Sequence, residues 1–314
     1  MNENDSERIM YLIEKEGYSR TSVIEDSDIV ILNTCAVREK AQNRLYGHIG
    51  NLKNLKYKNK DILICIGGCV SQCLKEKILK DFPFVDIVFG THNIYELPHI
   101  IKKHIKTGKS ICSVKEDGFD TDLFNVKREQ KFKAYVPISI GCDNFCSYCI
   151  VPFVRGRERS IKSNNIIDHV RELVSSGVIE IMLLGQNVNS YGNDLNEECS
   201  FSELLEKVSD IERLKRIRFM TSHPKDFSLD IIDIIKSRDN IVKHIHLPLQ
   251  SGSDKILNKM NRSYTRDQYS DIISDIKRKI PGCSITTDII VGFPGEERTD
   301  FLKTLDMVKE IRFS

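Results

Sequence analysis

Short apolar runs bounded by polar residues alternate with stretches of helical period along almost the whole chain, in two successive series. This alternation constrains the fold most, because repeated strand–helix–strand units bury their strands on both faces and build parallel sheets. In the first series, residues 5–16 carry Ile9, Leu12 and Ile13 at helical spacing. Residues 28–34 (DIVILNT), 61–67 and 85–90 read as buried strands, and 37–55, 71–80 and 94–106 as helices. The series enters on a helix, whereas doubly wound domains normally begin with a strand whose C-terminal loop feeds the first helix. The first strand is therefore expected to be absent from this chain.

The second series predicts strands at 135–140, 180–184, 216–221, 243–249 and 284–291. Helices are predicted at 163–176, 201–211, 229–237, 265–280 and 299–311. Five strand–helix units in a row predict a full or partial parallel barrel, and the chain stops at Phe313–Ser314, where a sixth strand should begin. Residues 113–133 are charged and aperiodic. They are expected to be a linker, part of it able to pair as a hairpin. The expected class is α/β: a doubly wound parallel-sheet domain over residues 1–112, the linker 113–133, and a partial barrel over 134–314.

No apolar run approaches the ~18 residues of a membrane span, and the opening MNENDSERI is too polar for a signal peptide. A cytoplasmic location is expected. Ten cysteines there read better as ligands or buried thiols than as disulfides. Net charge is only +2, so any nucleic-acid contact must come from local basic patches.

Cys142, Cys146 and Cys149 stand at CxxxCxxC spacing directly after the first strand of the second series. Three thiolates in one loop can hold three irons of a cubane, leaving the fourth open to a small molecule. A structural zinc site would want four close ligands, and the next histidine, His169, lies a helix away. Cys35 ends the strand DIVILNT and Cys69 ends the next, both at the carboxyl edge of a parallel sheet where ligands bind. They are a second metal site or buried structural thiols. Cys65, inside a strand, and Cys73, on the following helix, read as structural, with Cys73 a possible substitute ligand.

Polar residues at the carboxyl ends of barrel strands are the usual seats of chemistry. They are Gln186, Asn187 and Asn189; Ser222 and His223; Gln250 and Ser251; and the turn 292–296. Loop hydrogen bonding is the competing account of each, and His223 before Pro224 reads as a turn residue. Arg155, Arg157 and Arg159, with Lys162 beyond, form a cationic strip that suits an RNA backbone or a solvated loop. Lys102, Lys103 and Lys106 read as an exposed helix face.

CxxxCxxC after the first barrel strand resembles the radical S-adenosylmethionine superfamily. In that superfamily the open iron binds the methionine end of the cofactor, and one electron cleaves the sulfonium to give a 5′-deoxyadenosyl radical. The aromatic residue before the third cysteine lies by the adenine; here it is Tyr148, which could equally be a packing aromatic. The order NTCAVRE, GGCVSQ, GCDNFCSYC, LLGQNVNSYG, RIRFMTSHP, HLPLQSGS and DIIVGFPGE is similar to that of the methylthiotransferases. Arg38-Glu39, VPFVRGR and TSHPKDF point to the branch acting on tRNA. The resemblance implies a second 4Fe-4S cluster on three cysteines of the amino-terminal domain, Cys35 and Cys69 matching the second and third. The first would lie just upstream of residue 1, and a carboxyl-terminal β-domain that grips tRNA would be missing too, so the chain is expected to be a fragment cut at both ends. The implied reaction is methylthiolation of carbon 2 of isopentenyl-adenosine next to the anticodon, with two S-adenosylmethionine molecules and an electron donor such as flavodoxin or ferredoxin, by a monomer. Alternatives are a sister enzyme acting on threonylcarbamoyl-adenosine or a ribosomal protein, and a catalytically incompetent iron- or RNA-binding fragment.

Overall fold

The computed structural model describes every residue except 36–38, 117, 119–122 and 197–198, so Arg38 and part of the charged segment 113–133 lie outside the described residues. The chain forms two compact units: Met1–Glu129 with Ile150–Gly156, and Gln130–Cys149 with Arg157–Ser314.

The first unit runs α1 (Asn2–Lys15), β1 (Ile29–Thr34), α2 (Glu39–Lys58), β2 (Leu63–Gly68), α3 (Cys69–Leu74), α4 (Lys77–Asp81), β3 (Ile87–Phe89), α5 (Leu97–Thr107) and β4 (Ile111–Ser113), with α6 (Val151–Arg155) from the returning segment. The strands are parallel in the order β1-β2-β3-β4. Successive side chains of β2 serve opposite faces, as a strand's period of two requires. Ile64 and Ile66 pack with Ile49 and Leu52 of α2 and Ile78 of α4. Cys65 joins Ile9 and Ile13 of α1 and Leu97 and Ile101 of α5 on the other face. Both faces are thus covered by helices, and each fully buried isoleucine contributes about 1.5–3 kcal/mol relative to exposure.

Two expectations for this unit need correction. The helix expected over 71–80 is two short ones, broken where Lys75 turns left-handed at φ 50. The unit also extends to Glu129, beyond the boundary expected at residue 112. At the start of the expected linker Ser113 ends β4, which pairs with β3, and within it Gln72 donates to Lys115 O at 2.7 Å and Lys127 N–H donates to Glu7 O at 2.9 Å.

The second unit contains β5 (Lys133–Pro137), β6 (Ser139–Ile140), β7 (Arg159–Ser160), α7 (Ser163–Ser175), β8 (Glu180–Leu184), α8 (Phe201–Ser209), β9 (Arg216–Phe219), α9 (Leu229–Ser237), β10 (His244–His246), α10 (Asp254–Lys259), α11 (Arg266–Lys279), β11 (Ser284–Thr286) and α12 (Arg298–Ile311). Parallel sheets β5-β8-β9 and β10-β11, with parallel bridges Ile217–Ile241 and Gln250–Ile289, make a partial barrel. Ser314 N–H donates to Ile285 O at 2.9 Å, so the last residue runs beside β11. All five strand–helix units are present; β8 has the expected bounds and the other four strands are shorter than expected. The end of the expected strand 135–140 is the separate β6, and β7, which pairs with it antiparallel, and the short helix α10 are additions to the expected pattern. No described helix is long and apolar enough to cross a membrane.

Candidate functional site

The three-cysteine loop leaves β6 through Gly141, whose φ of 83 is a left-handed turn that glycine adopts without strain. The Gly141 N–H donates to Gln186 Oε1 at 2.5 Å, so Gln186 fixes the loop entry. The turn after α10 grips the middle of the loop. Ser147 N–H donates to Met260 O at 3.0 Å, Ser147 Oγ to Lys259 O at 2.9 Å, and Asn261 Nδ2 to Phe145 O at 3.0 Å. Cys142 and Cys146 are buried and Cys149 is half-buried. Asn144 Nδ2 lies 3.6 Å from Cys142 Sγ, and Arg262 Nη1 lies 3.5 Å from Cys146 Sγ. Two of the three sulfurs thus already face N–H donors, which suits thiolates. Burial pushes the Cys142 thiol up to about 11, so metal binding there must expel a proton. Among the described residues no three His, Cys, Asp or Glu side chains converge as one metal ion would require. A cubane is held differently, by one thiolate on each of separate irons, and the donor set fits it.

Around the loop, the strand ends carry buried polar atoms without partners. Ser139 Oγ follows β5, Asn187 Oδ1 and Asn189 Nδ2 follow β8, and Ser222 Oγ and His223 Nε2 follow β9. These three strands are neighbours in one sheet. Orphaned buried polar groups are costly and rare, and a row of them along one sheet end is what a polar ligand would satisfy. His223 also has a turn role, because its Nδ1 accepts Lys225 N–H at 3.2 Å. Burial pushes His223 down to about 3, so the ring stays neutral. Gln250 is buried with φ 66, and its backbone pairs with Asp288 and Ile290. Ser251 faces Thr304 Oγ1 at 3.3 Å and accepts Ser253 N–H at 3.2 Å, as a loop hydrogen-bonding residue does. Tyr148 is 38% exposed, so it is not a core packing aromatic.

In the first unit the parallel register sets Thr34 against Gly68, so the residues that follow, Cys35 and Cys69, leave the sheet side by side. Thr34 Oγ1 donates to Gly67 O at 2.6 Å and accepts Val70 N–H at 3.3 Å, tying the two strand ends together. Gly68 has φ 92, and a Cβ there would stand 2.3 Å from Thr34 O. Cys69 is buried and Cys35 half-buried. Asn33 Oδ1 and Ser71 Oγ, each close in sequence to one of them, are buried without partners. Cys65 points to the opposite face, where burial pushes its thiol far up and keeps it inert. Cys73 is exposed on α3.

The expected cationic strip does not exist as three outward arginines. Arg155 is buried, pairs with Asp5 and hydrogen-bonds the Cys69 thiol. It ends α6, whose packing on α3 draws it to the sheet edge. Arg157 is the exposed member; its Nε donates to Asp143 at 2.7 Å and its guanidinium lies 5.4 Å from the Phe145 ring centre. Arg159 lies on β7, paired with β6. Between them, burial pushes the Glu158 carboxyl up to about 7 while Ser190 Oγ donates to it. Sequence reading missed Glu158 because flanking arginines made the run look uniformly basic. It missed Arg262 because no motif marks the segment NRSY.

Residues 136–308 match the family described as the radical SAM superfamily, and residues 1–90 match an uncharacterized protein family, UPF0004. The tRNA-2-methylthio-N6-dimethylallyladenosine synthase of Clostridium botulinum (strain Okra) is 50% identical over 317 residues, covering 100% of this chain and 70% of that protein. The synthase of the same name from Clostridium perfringens (strain SM101) is 49% identical, covering 71% of its length. Among solved structures, the radical S-adenosylmethionine methyltransferase TsrM of Kitasatospora setae, with cobalamin and a [4Fe-4S] cluster, superposes with a TM-score of 0.68 at 13% identity, over 98% of this chain and 70% of that one. At that identity the likeness concerns the fold.

Proposed function

Since the chain belongs to the radical S-adenosylmethionine family of tRNA-2-methylthio-N6-dimethylallyladenosine synthases, we propose that it adds a methylthio group to carbon 2 of an adenosine already carrying an isopentenyl group, next to the anticodon of tRNA. It is an enzyme that uses S-adenosylmethionine and an iron–sulfur cluster. Cys142, Cys146 and Cys149 hold that cluster, which when bound supplies an open iron for the methionine end of the cofactor and the electron that cleaves it.

The chain's own residues do the rest. Gln186 holds Gly141 and so fixes the direction of the loop. Asn144 and Arg262 donate N–H groups to the thiolates. Ser139, Asn187, Asn189, Ser222 and His223 offer unpaired donors and acceptors to the cofactor and the target base. Because Nδ1 of neutral His223 accepts a hydrogen bond, its proton sits on Nε2, which therefore acts as a donor. Tyr148 and Gln250 complete the cofactor's surroundings. Cys35 and Cys69 hold the second 4Fe-4S cluster, the source of the sulfur. Arg157 and Arg159 meet RNA phosphates. The protein works as a cytoplasmic monomer supplied with electrons by a flavodoxin or ferredoxin.

One observation carries this reading: two cysteine sets in one chain, one directly after the parallel strands β1 and β2 and one in the loop after β6, suit the two tasks of making a radical and delivering sulfur. Nucleoside mass spectrometry of tRNA from a deletion strain tests it. Isopentenyl-adenosine should accumulate without its methylthio group. Loss of the methylthio group from threonylcarbamoyl-adenosine instead would move the chain to the sister activity.

A further inference from the structure

We infer that Arg262 is a positioning residue that sets the reduction potential of the cluster on Cys142, Cys146 and Cys149, an inference that rests on the cluster assignment above. Arg262 follows α10 and is 6% exposed. Its three nitrogens have separate acceptors: Nε faces Tyr264 Oη at 3.3 Å, Nη2 donates to Pro248 O at 3.0 Å, and Nη1 lies 3.5 Å from Cys146 Sγ. The guanidinium carbon also stands 5.1 Å from the Tyr264 ring centre. Tyr264 is itself fixed, donating from Oη to Leu249 O at 2.6 Å.

A buried cation is ordinarily matched by an anion, because desolvation leaves an unmatched charge very costly. Arg155 in the other unit obeys that rule through Asp5. Among the described residues no carboxylate is paired with Arg262; the groups around it are Tyr264, Tyr148, Cys146, Tyr269 and the neutral His223. The Cys146 sulfur is thus the place where compensating negative charge would appear, and a metal-bound thiolate supplies it. Hydrogen bonds to cluster sulfurs and local charge set the potentials of iron–sulfur centres. Reduction adds negative charge that spreads onto those sulfurs, so a cationic donor at Cys146 favours the reduced state and raises the potential. Lysine cannot reproduce this, since only the planar fork serves three fixed acceptors at once.

The test uses the full chain carrying Cys35→Ala and Cys69→Ala, so that only the radical cluster is read. After anaerobic reconstitution, iron content and the midpoint potential, followed by electron paramagnetic resonance, are compared for this parent, Arg262→Gln and Arg262→Lys. The Gln variant should hold its iron and show an about tenfold smaller reduction equilibrium constant, about 59 mV lower for one electron. The Lys variant should fall between Gln and the parent. A Gln variant with its iron and an unchanged midpoint overturns the inference. If the Gln variant takes up no iron, the Lys variant decides: a lowered midpoint upholds the role, and an unchanged or raised one overturns it. A parent that takes up no iron would instead defeat the cluster assignment itself.

Discussion

Replacing Cys142, Cys146 and Cys149 together with Ala removes every thiolate of the loop, so the variant should hold no cluster there and form no 5′-deoxyadenosine from S-adenosylmethionine. Normal formation, followed by chromatography, would disprove the site. Glu158 offers a pH test. Its folded pKa of about 7 stands above the ordinary 4.5, so the folded state binds this proton more tightly than the unfolded one. Its contribution to stability is therefore full at low pH and is lost as pH rises through about 7. Relative to the parent apoprotein, Glu158→Gln should gain stability between about pH 5 and pH 8, read from urea midpoints across that window; parallel profiles would refute the shift. The two neighbouring arginines should behave oppositely. Arg155→Ala leaves the buried Asp5 without its close partner, a change that costs about 3–5 kcal/mol. Arg157→Ala should barely affect unfolding but lower the salt slope of tRNA binding by about one unit. Reversed results would restore the continuous basic strip. The cysteine loop could be located by spacing alone, whereas the different fates of Arg155 and Arg157 depend on which side of a short helix end each falls.

At the scale of elements, periodicity made the long helices readable, because α7, α9 and α11 each repeat an apolar stripe over two or more turns, and the apolar runs between helices made the strands readable. The pieces that escaped are those too short to establish a period: the two-residue strand β7, the three-residue β4, and helices α6 and α10, while β6 reads in the sequence as the end of one longer strand. These short pieces matter here, since β6–β7 and the turn after α10 aim the three-cysteine loop and α6 delivers Arg155. The β2-to-α3 turn is another such place. Gly68→Ala should cost of the order of 1–3 kcal/mol, because φ 92 with ψ −162 is open essentially only to glycine. The added methyl would also push against Thr34 O and displace Cys69 from Cys35. Thermal unfolding together with iron content measures both effects, and an unaltered melting temperature would show that the turn can be rebuilt.

Across the whole molecule the two cysteine sets differ in number, three thiolates in one loop and two at the other sheet edge, Cys35 and Cys69. Each thiolate missing from a cubane leaves an iron open to water and oxygen, so iron held at Cys35 and Cys69 should be lost first. Chelator challenge should show a fast phase that disappears in Cys35→Ala/Cys69→Ala and a slow phase that survives it; one uniform phase would argue against two unequal sites. The division into two α/β bodies was readable from the two alternating series, but their interruption was not, because nothing in residues 150–156 announces that they belong with the first unit. That interruption has a consequence for biosynthesis. The first unit is discontinuous in the gene, and its buried Asp5 waits for an arginine encoded only after the entire CxxxCxxC segment. On the ribosome the amino-terminal sheet therefore emerges with a carboxylate that has the more distant Arg8 beside it, at 3.9 Å, but not yet its closest cation, Arg155. A protein so threaded cannot be cut at residue 129 into two self-sufficient halves, and evolution cannot easily exchange one half without carrying Ile150–Gly156 along with the other.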